Sequence, residues 1–395
     1  MSLDLWTHRA RTGLLSFDFT TPQDSRQSRT LTRSELRFKR SLMAPLFLSV
    51  TGLYHRTDQT ISGYNSRLST KYDVAGGEAL LSDSLPGATL AFGGGYYRSL
   101  LYGLSGKRPQ ADHFLARAGL DNNEARLYYA LNLGYEWNKI DKGAAVPSIG
   151  IGYELSNQLK PYIRAFRARG LPDLYVRNLG DDVLLPTTSV ILRSYVFAPA
   201  PNLNTPVLSQ LTSGIIIDMK SVDVDVGISM KKIESQIYTS YTIDSDGNLT
   251  VTPANFDDSY VEPFGTIKVG LSIFDAEVGG SLRFWDDKYL PDGYEKGPKA
   301  LGFGKFSARK EILIPELFIG GSLDSRFSSR RDFRAIISGA DKTFIAVNGR
   351  LEFQYKDLKF WLNDENILND NYITWWPYYE SPRVVWWGFK WSFSD

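Results

Sequence analysis

Along most of the chain apolar residues recur at every second position, the period of a strand with one face against apolar surroundings. Over residues 125–137, Leu127, Tyr129, Leu131, Leu133, Tyr135 and Trp137 fall on one face and Arg126, Asn132 and Glu136 on the other. Over residues 222–232, Val222, Val224, Val226, Ile228 and Met230 alternate with Asp223, Asp225, Ser229 and Lys231. The last strand, residues 383–393, sets Val385, Trp387, Phe389, Trp391 and Phe393 against Val384, Trp386, Gly388, Lys390 and Ser392. About eighteen such segments follow one another and helical periodicity is nearly absent, which predicts an all-β fold.

The first predicted strand is residues 14–19, followed by 31–40, 46–56, 67–74, 88–98, 112–120, 125–137, 146–155 and 160–168. An irregular stretch then runs to about residue 211. Its prolines, Pro172, Pro186, Pro199, Pro201 and Pro206, forbid central strands. The second half continues with 212–220, 222–232, 264–274, 276–286, 301–313, 317–328, 344–355 and 358–365 before the closing strand. Short turns near residues 44, 122, 157, 221, 275, 315 and 357 alternate with long links such as 287–300, 329–343 and 366–382; the link 75–87 breaks the series.

A soluble sandwich could bury the aromatic faces, but strands of about ten residues also span a bilayer at barrel tilt. The opposite faces decide between these: they mix Gly, Ser, Asn, Asp, Arg and Lys, as a wet lumen does, rather than the Lys and Glu of a solvated outer face. Loops segregated by rim point the same way. The predicted fold is one antiparallel transmembrane β-barrel of about 18 strands over residues 1–395, with short periplasmic turns, long extracellular loops and no plug domain.

Composition agrees. Aromatics make up 13% of the 395 residues, suited to belts at a membrane interface, and no run of 18 apolar residues suggests a transmembrane helix. Cysteine is absent, which excludes disulfides, a thiolate nucleophile and a thiolate zinc site. A net charge of +1 gives no field that would draw nucleic acid. Met1 to Arg9 has no apolar core of a signal peptide, although an outer-membrane protein must be exported.

Three stretches carry a family resemblance. Phe166-Arg167-Ala168, then Leu171, Leu174 and Tyr175, resembles the Phe-Arg-Ala-Pro…Leu…Leu-Tyr signature of TonB-dependent outer-membrane receptors, with Arg169 in place of the proline. Pro201, Leu203 and Pro206 are similar to that family's Asn-Pro-x-Leu-x-Pro-Glu segment, with one residue inserted. Asn366 to Tyr372, with Arg383 beyond it, is similar to its Asn-Leu-Phe-Asp-x-x-Tyr strand end. Gly388, Trp391 and Phe393 resemble the terminal assembly signal of bacterial outer-membrane barrels, which implies the barrel-assembly machinery as a partner.

The resemblance covers roughly the last 230 residues. It implies a 22-stranded receptor barrel around a plug, in the outer membrane of a Gram-negative-type bacterium. Such a receptor takes up a siderophore, cobalamin or glycan with an energy-coupling protein as partner. Nine strands follow the second motif here, as the family expects, while no plug and about four strands too few precede it. The chain is therefore expected to be the C-terminal part of a longer gene product. A plugless porin or structural barrel is the alternative, and a barrel enzyme the third reading.

Candidate sites are sparse. Trp375, Trp376, Tyr378 and Tyr379 lie in a predicted long loop, where they either stack on a sugar or chelate or anchor at the bilayer surface. Arg330 and Arg331, with Arg326 and Arg334, make a basic loop that could hold an anionic ligand or lipopolysaccharide phosphate, or simply be solvated. His8, His55 and His113 lack metal spacing, and no serine motif accompanies them, so no metal, cofactor or catalytic residue is predicted. Gly93-Gly94-Gly95 runs on into a strand and is not a phosphate loop. Asp244-Ser245-Asp246-Gly247-Asn248 has the oxygen ligands of a calcium loop without its distal Glu, and a hairpin turn explains it more simply.

Overall fold

The computed structural model describes residues 2–13, 26–63, 66–102, 109–122, 126–140, 142–170, 184–186, 194–197, 202–243, 245, 248–285, 298–312, 314–329, 343–369, 373–375, 378–379 and 383–392. Among these there is no helix. The first half contains β1 (Ser2–Gly13), β2 (Arg26–Met43), β3 (Leu46–Gly63), β4 (Ser66–Leu85) and β5 (Ala88–Tyr102). It continues with β6 (Gln110–Asn122), β7 (Leu127–Asn138), β8 (Lys142–Tyr153) and β9 (Leu159–Arg169). Two short strands, β10 (Leu184–Pro186) and β11 (Ser194–Phe197), lie in the proline-rich stretch. Then come β12 (Val207–Met219), β13 (Val222–Ile243), β14 (Asn248–Gly270), β15 (Phe274–Leu282) and β16 (Phe284–Trp285). The rest are β17 (Ala300–Glu311), β18 (Leu317–Ser328), β19 (Phe344–Tyr355), β20 (Leu358–Glu365), β21 (Ile373–Trp375), β22 (Tyr378–Tyr379) and β23 (Val384–Ser392).

Eighteen spanning strands, with β15 and β16 counted as one interrupted at Arg283, pair antiparallel with their sequence neighbours in one sheet. β9 pairs antiparallel with β12, Leu159 opposite Ile217 and Arg169 opposite Val207. β1 registers against β23 over five residue pairs, Ser2–Ser392 to Trp6–Gly388, so the first and last strands share a seam. An unpaired edge in lipid would leave backbone groups without partners, and this pairing covers part of it.

One face of the sheet carries the apolar residues. Val385, Trp387, Phe389 and Trp391 are exposed on it, as are Leu133, Tyr135, Val226, Ile228 and Met230. The other face carries Asp225, Lys231 and Glu262 among its polar residues and is the more enclosed. Both alternations match the sequence reading, because a strand shows lipid one side and lumen the other. The turn between β4 and β5 is at residues 86–87, so 75–87, expected to be a long link that breaks the short-turn series, is mostly strand. The first strand is Ser2–Gly13, whereas the expected one at 14–19 lies outside the described residues. Strands also exceed the expected ten residues: β13 and β14 run over 22 and 23 residues and stay paired up to Ile243 opposite Leu249.

Candidate functional site: the lumen wall

The register gathers lumen-facing side chains from strands distant in sequence. On β13 to β16, the Glu262 carboxylate accepts from Lys231 Nζ, from Ser281 Oγ at 2.6 Å and from Arg283 Nε at 3.1 Å. Both cations also lie over the Tyr260 ring, at 5.5 Å for Lys231 and 5.2 Å for Arg283. Tyr260 meets Trp285 with ring centroids 4.5 Å apart, and the Trp285 indole nitrogen is buried with no hydrogen-bond partner among the described residues. Thr212 and Ser229, 2.8 Å apart, and Gln210 extend this wall with neutral hydrogen-bonding groups. With Asp258 buried on the same face two residues from Tyr260, two acids balance the two cations, and the wall offers charge-assisted hydrogen-bonding groups beside an aromatic shelf.

A second cluster spans β4 to β6, where Glu78 accepts from Tyr97 Oη at 2.5 Å and Arg117 Nη2 at 2.8 Å. Gly95 makes room for it: a Cβ there would lie 2.7 Å from Cγ of Glu78. A third, near the short turns, is a depression of about 330 Å³ lined by Asp275, Lys305, Arg309, Arg350, Glu352 and Lys359. None of the three contains a group of His, Asp and Glu that could hold a metal ion, among the described residues.

The residues singled out in the sequence divide. Phe166 faces the lumen wall opposite Gln210 and Ser148, Arg167 points outward, and Ala168 pairs with Leu208. Leu203 is buried, and Pro206 accepts from the Gly170 backbone N–H at 3.0 Å. Asn255 clamps this segment, donating to the carbonyls of Asn204 and Ser235 at 3.1 and 2.6 Å. Asn366 is buried with φ of 53° at the end of β20. Arg383 donates to both carboxylate oxygens of Asp364, at 2.9 and 3.1 Å. Gly388 lies on the lumen face and Trp391 on the outer face. Leu171, Leu174, Tyr175, Pro201, Tyr372 and Phe393 lie outside the described residues, as do Trp376, Arg330 and Arg331. Trp375 pairs with Tyr378, and Ile373 with Tyr379, in a separate two-stranded ribbon.

The lumen cluster around Glu262 was not visible in the sequence as a site. Its members alternate correctly on their strands, but Lys231 and Arg283 lie 31 and 21 residues from Glu262, and only the register brings them together.

No protein-family model matches the chain, and no curated protein matches it. Solved structures do. The siderophore receptor PirA from Acinetobacter baumannii is 11% identical with a TM-score of 0.56, over 94% of this chain and 63% of that one. The FrpB iron transporter from Neisseria meningitidis is 12% identical with a TM-score of 0.59, over 98% and 68%. The copper transporter OprC is 10% identical with a TM-score of 0.58, over 99% and 80%. The chain thus spans less than two thirds of PirA's length. At these identities the likeness bears on the fold alone: eighteen antiparallel strands in one sheet, similar to the barrels of these receptors and transporters.

Proposed function

We propose that this chain forms the barrel wall of an outer-membrane receptor-transporter of the TonB-dependent type, taking up a scarce, anionic metal chelate of the siderophore class. The observation that carries this reading is the lumen shelf of Tyr260 and Trp285, over which Glu262 holds Lys231 and Arg283. A catecholate chelate presents flat rings and negative charge, which such a shelf meets by stacking and charge-assisted hydrogen bonds. The fold shared with siderophore, iron and copper carriers supports it. On this reading the loop aromatics Trp375, Trp376, Tyr378 and Tyr379 and the basic Arg330 and Arg331 form the outer approach to the lumen. Uptake against a gradient requires an inner-membrane energy-coupling partner acting through a plug.

The test is binding of ferric enterobactin to the full chain reconstituted in lipid vesicles, followed by tryptophan quenching and by conductance in planar bilayers. Saturable quenching that Arg283→Ala and Trp285→Ala each weaken is expected. A stable open pore indifferent to the chelate would favour a passive porin instead.

A further inference from the structure

Beyond Glu234, where β12 ends its pairing with β13, β13 and β14 continue as a ribbon of eight residue pairs, Gln236–Phe256 to Ile243–Leu249. Among the described residues only the short β11 flanks it, and a two-stranded ribbon is marginal by itself in water. The ribbon starts at a bulge. The register shifts between Ile233 and Gln236, and Ser235 takes a φ of 57° while its N–H donates to Asp257 Oδ1 at 3.0 Å. The bulge absorbs one residue of β13, so Gln236 and Tyr238 share the lumen face with Phe256 and Asp258 of β14. There Tyr238 Oη donates to Asp258 Oδ2 at 2.6 Å, and the Tyr238 and Phe256 rings lie 6.4 Å apart. Asp258 is two residues from Tyr260 of the shelf, on the same face.

The chain between β11 and β12 goes around this ribbon. β11 pairs in parallel with β14, Ser194 opposite Asn248 to Phe197 opposite Val251. β12 begins at Val207 opposite Glu234, on the other edge of the β13–β14 pair. Between Phe197 and Val207 the chain therefore crosses from the β14 edge to the β13 edge. It crosses on the outward face, where Asn255 points, because Phe256 and Asp258 take the lumen face. Asn255 fixes the crossing with three hydrogen bonds. Its Oδ1 accepts from the Asn204 N–H at 2.6 Å, and its Nδ2 donates to the carbonyls of Asn204 at 3.1 Å and of Ser235 at 2.6 Å. One side chain thus joins the crossing segment to the bulge. Leu203, the neighbour of Asn204, is buried, and the Gly170 N–H donates to the Pro206 carbonyl at the foot of the crossing.

We propose that residues 202–206 form a belt, locked by Asn255, that holds the β13–β14 ribbon in line with the barrel wall and so positions Tyr238 and Asp258 above the Tyr260–Trp285 shelf. Asn255 is a positioning residue: it faces away from the lumen and reaches the shelf only through the ribbon. The belt itself stands on the register, whereas its consequence for a ligand rests on the receptor reading, which places the ligand on that shelf.

The test uses the full chain in lipid vesicles, with insertion read first as protease resistance. Hydrogen exchange is then followed by mass spectrometry over ribbon residues 236–243 and over wall residues 210–219. A hydrogen bond to a neutral backbone group contributes about fivefold to a local opening equilibrium, so Asn255→Ala, which removes three, is expected to quicken exchange over 236–243 about a hundredfold and to leave 210–219 unchanged. Asn255→Asp keeps the acceptor and loses the donor, and is expected to fall between; it also carries the comparison if Asn255→Ala fails to insert. Binding of ferric enterobactin, followed by tryptophan quenching, is expected to weaken in the same order. Unchanged exchange over 236–243 overturns the belt. Equal quickening of the wall overturns it too, since Asn255 would then stabilise the barrel as a whole. A loosened ribbon with undiminished binding overturns the positioning role. A native chain that binds no chelate overturns the receptor reading instead, and exchange alone then decides the belt.

Discussion

Trp361 of β20 lies directly over Gly388 of β23: a Cβ built on Gly388 would sit 2.5 Å from Cζ2 of Trp361. The two are register partners on the lumen face, and the Arg350 guanidinium lies 5.0 Å above the same indole ring. The glycine of the terminal signal is thus the floor of a three-layer stack, which gives it a packing reason independent of any assembly machinery. Gly388→Val is expected to cost about 1–3 kcal/mol by overpacking. Combining it with Trp361→Ala should recover most of that loss in a double-mutant cycle read by urea unfolding from lipid vesicles. Additive costs would contradict the stack.

The seam makes a separate prediction. Leu5 is the register partner of Phe389, and the chain has no native cysteine. Leu5→Cys with Phe389→Cys is expected to form an intramolecular disulfide on mild oxidation of the folded chain, because directly opposed strand residues come within bonding reach. Arg11→Cys, six residues further along β1, with Phe389→Cys should not. Equal cross-linking of both pairs, measured by mobility on non-reducing gels, would mean that the seam has another register.

Substitution at neighbouring positions of β13 separates the two faces. Val226→Arg places a charge on the outer face within the apolar band and is expected to cost about 2–4 kcal/mol. Asp225 accepts from Tyr162 Oη at 2.8 Å on the lumen face, so Asp225→Ala should cost only about 1 kcal/mol. Unfolding free energies in the reverse order would invert the wall.

Removal of Glu262 leaves Lys231 and Arg283 over one tyrosine ring without their shared counter-charge. Glu262→Ala is expected to destabilise the barrel by about 3 kcal/mol, the cost of breaking an enclosed ion pair from one side. Raising the salt to 1 M shortens the screening length to about 3 Å and should shrink that loss where the lumen is wet. A loss that salt leaves untouched would indicate that packing, not charge, is what Glu262 supplies.

The alternation of Val385, Trp387, Phe389 and Trp391 with Gly388 and Lys390, and of Val226 with Asp225, was legible in the sequence and fixed which face meets lipid. This works because the period of a strand is local and a bilayer tolerates little charge on the face it touches. The same logic gave eighteen strands, nine of them after Pro206. Strand length and register were out of reach. β4 runs through residues 75–85 despite its Gly76-Gly77 pair because β3 and β5 pair with it on both sides, a tertiary constraint that no window of sequence contains. For the same reason Ser2–Gly13 forms a strand between β2 and β23 although its own pattern is weak. The contacts of Glu262 with Lys231 and Arg283, and the hold of Asn255 on Asn204 and Ser235, exist only once each strand has slid to its place. A shift of one residue would turn each of these groups to the opposite side of the wall.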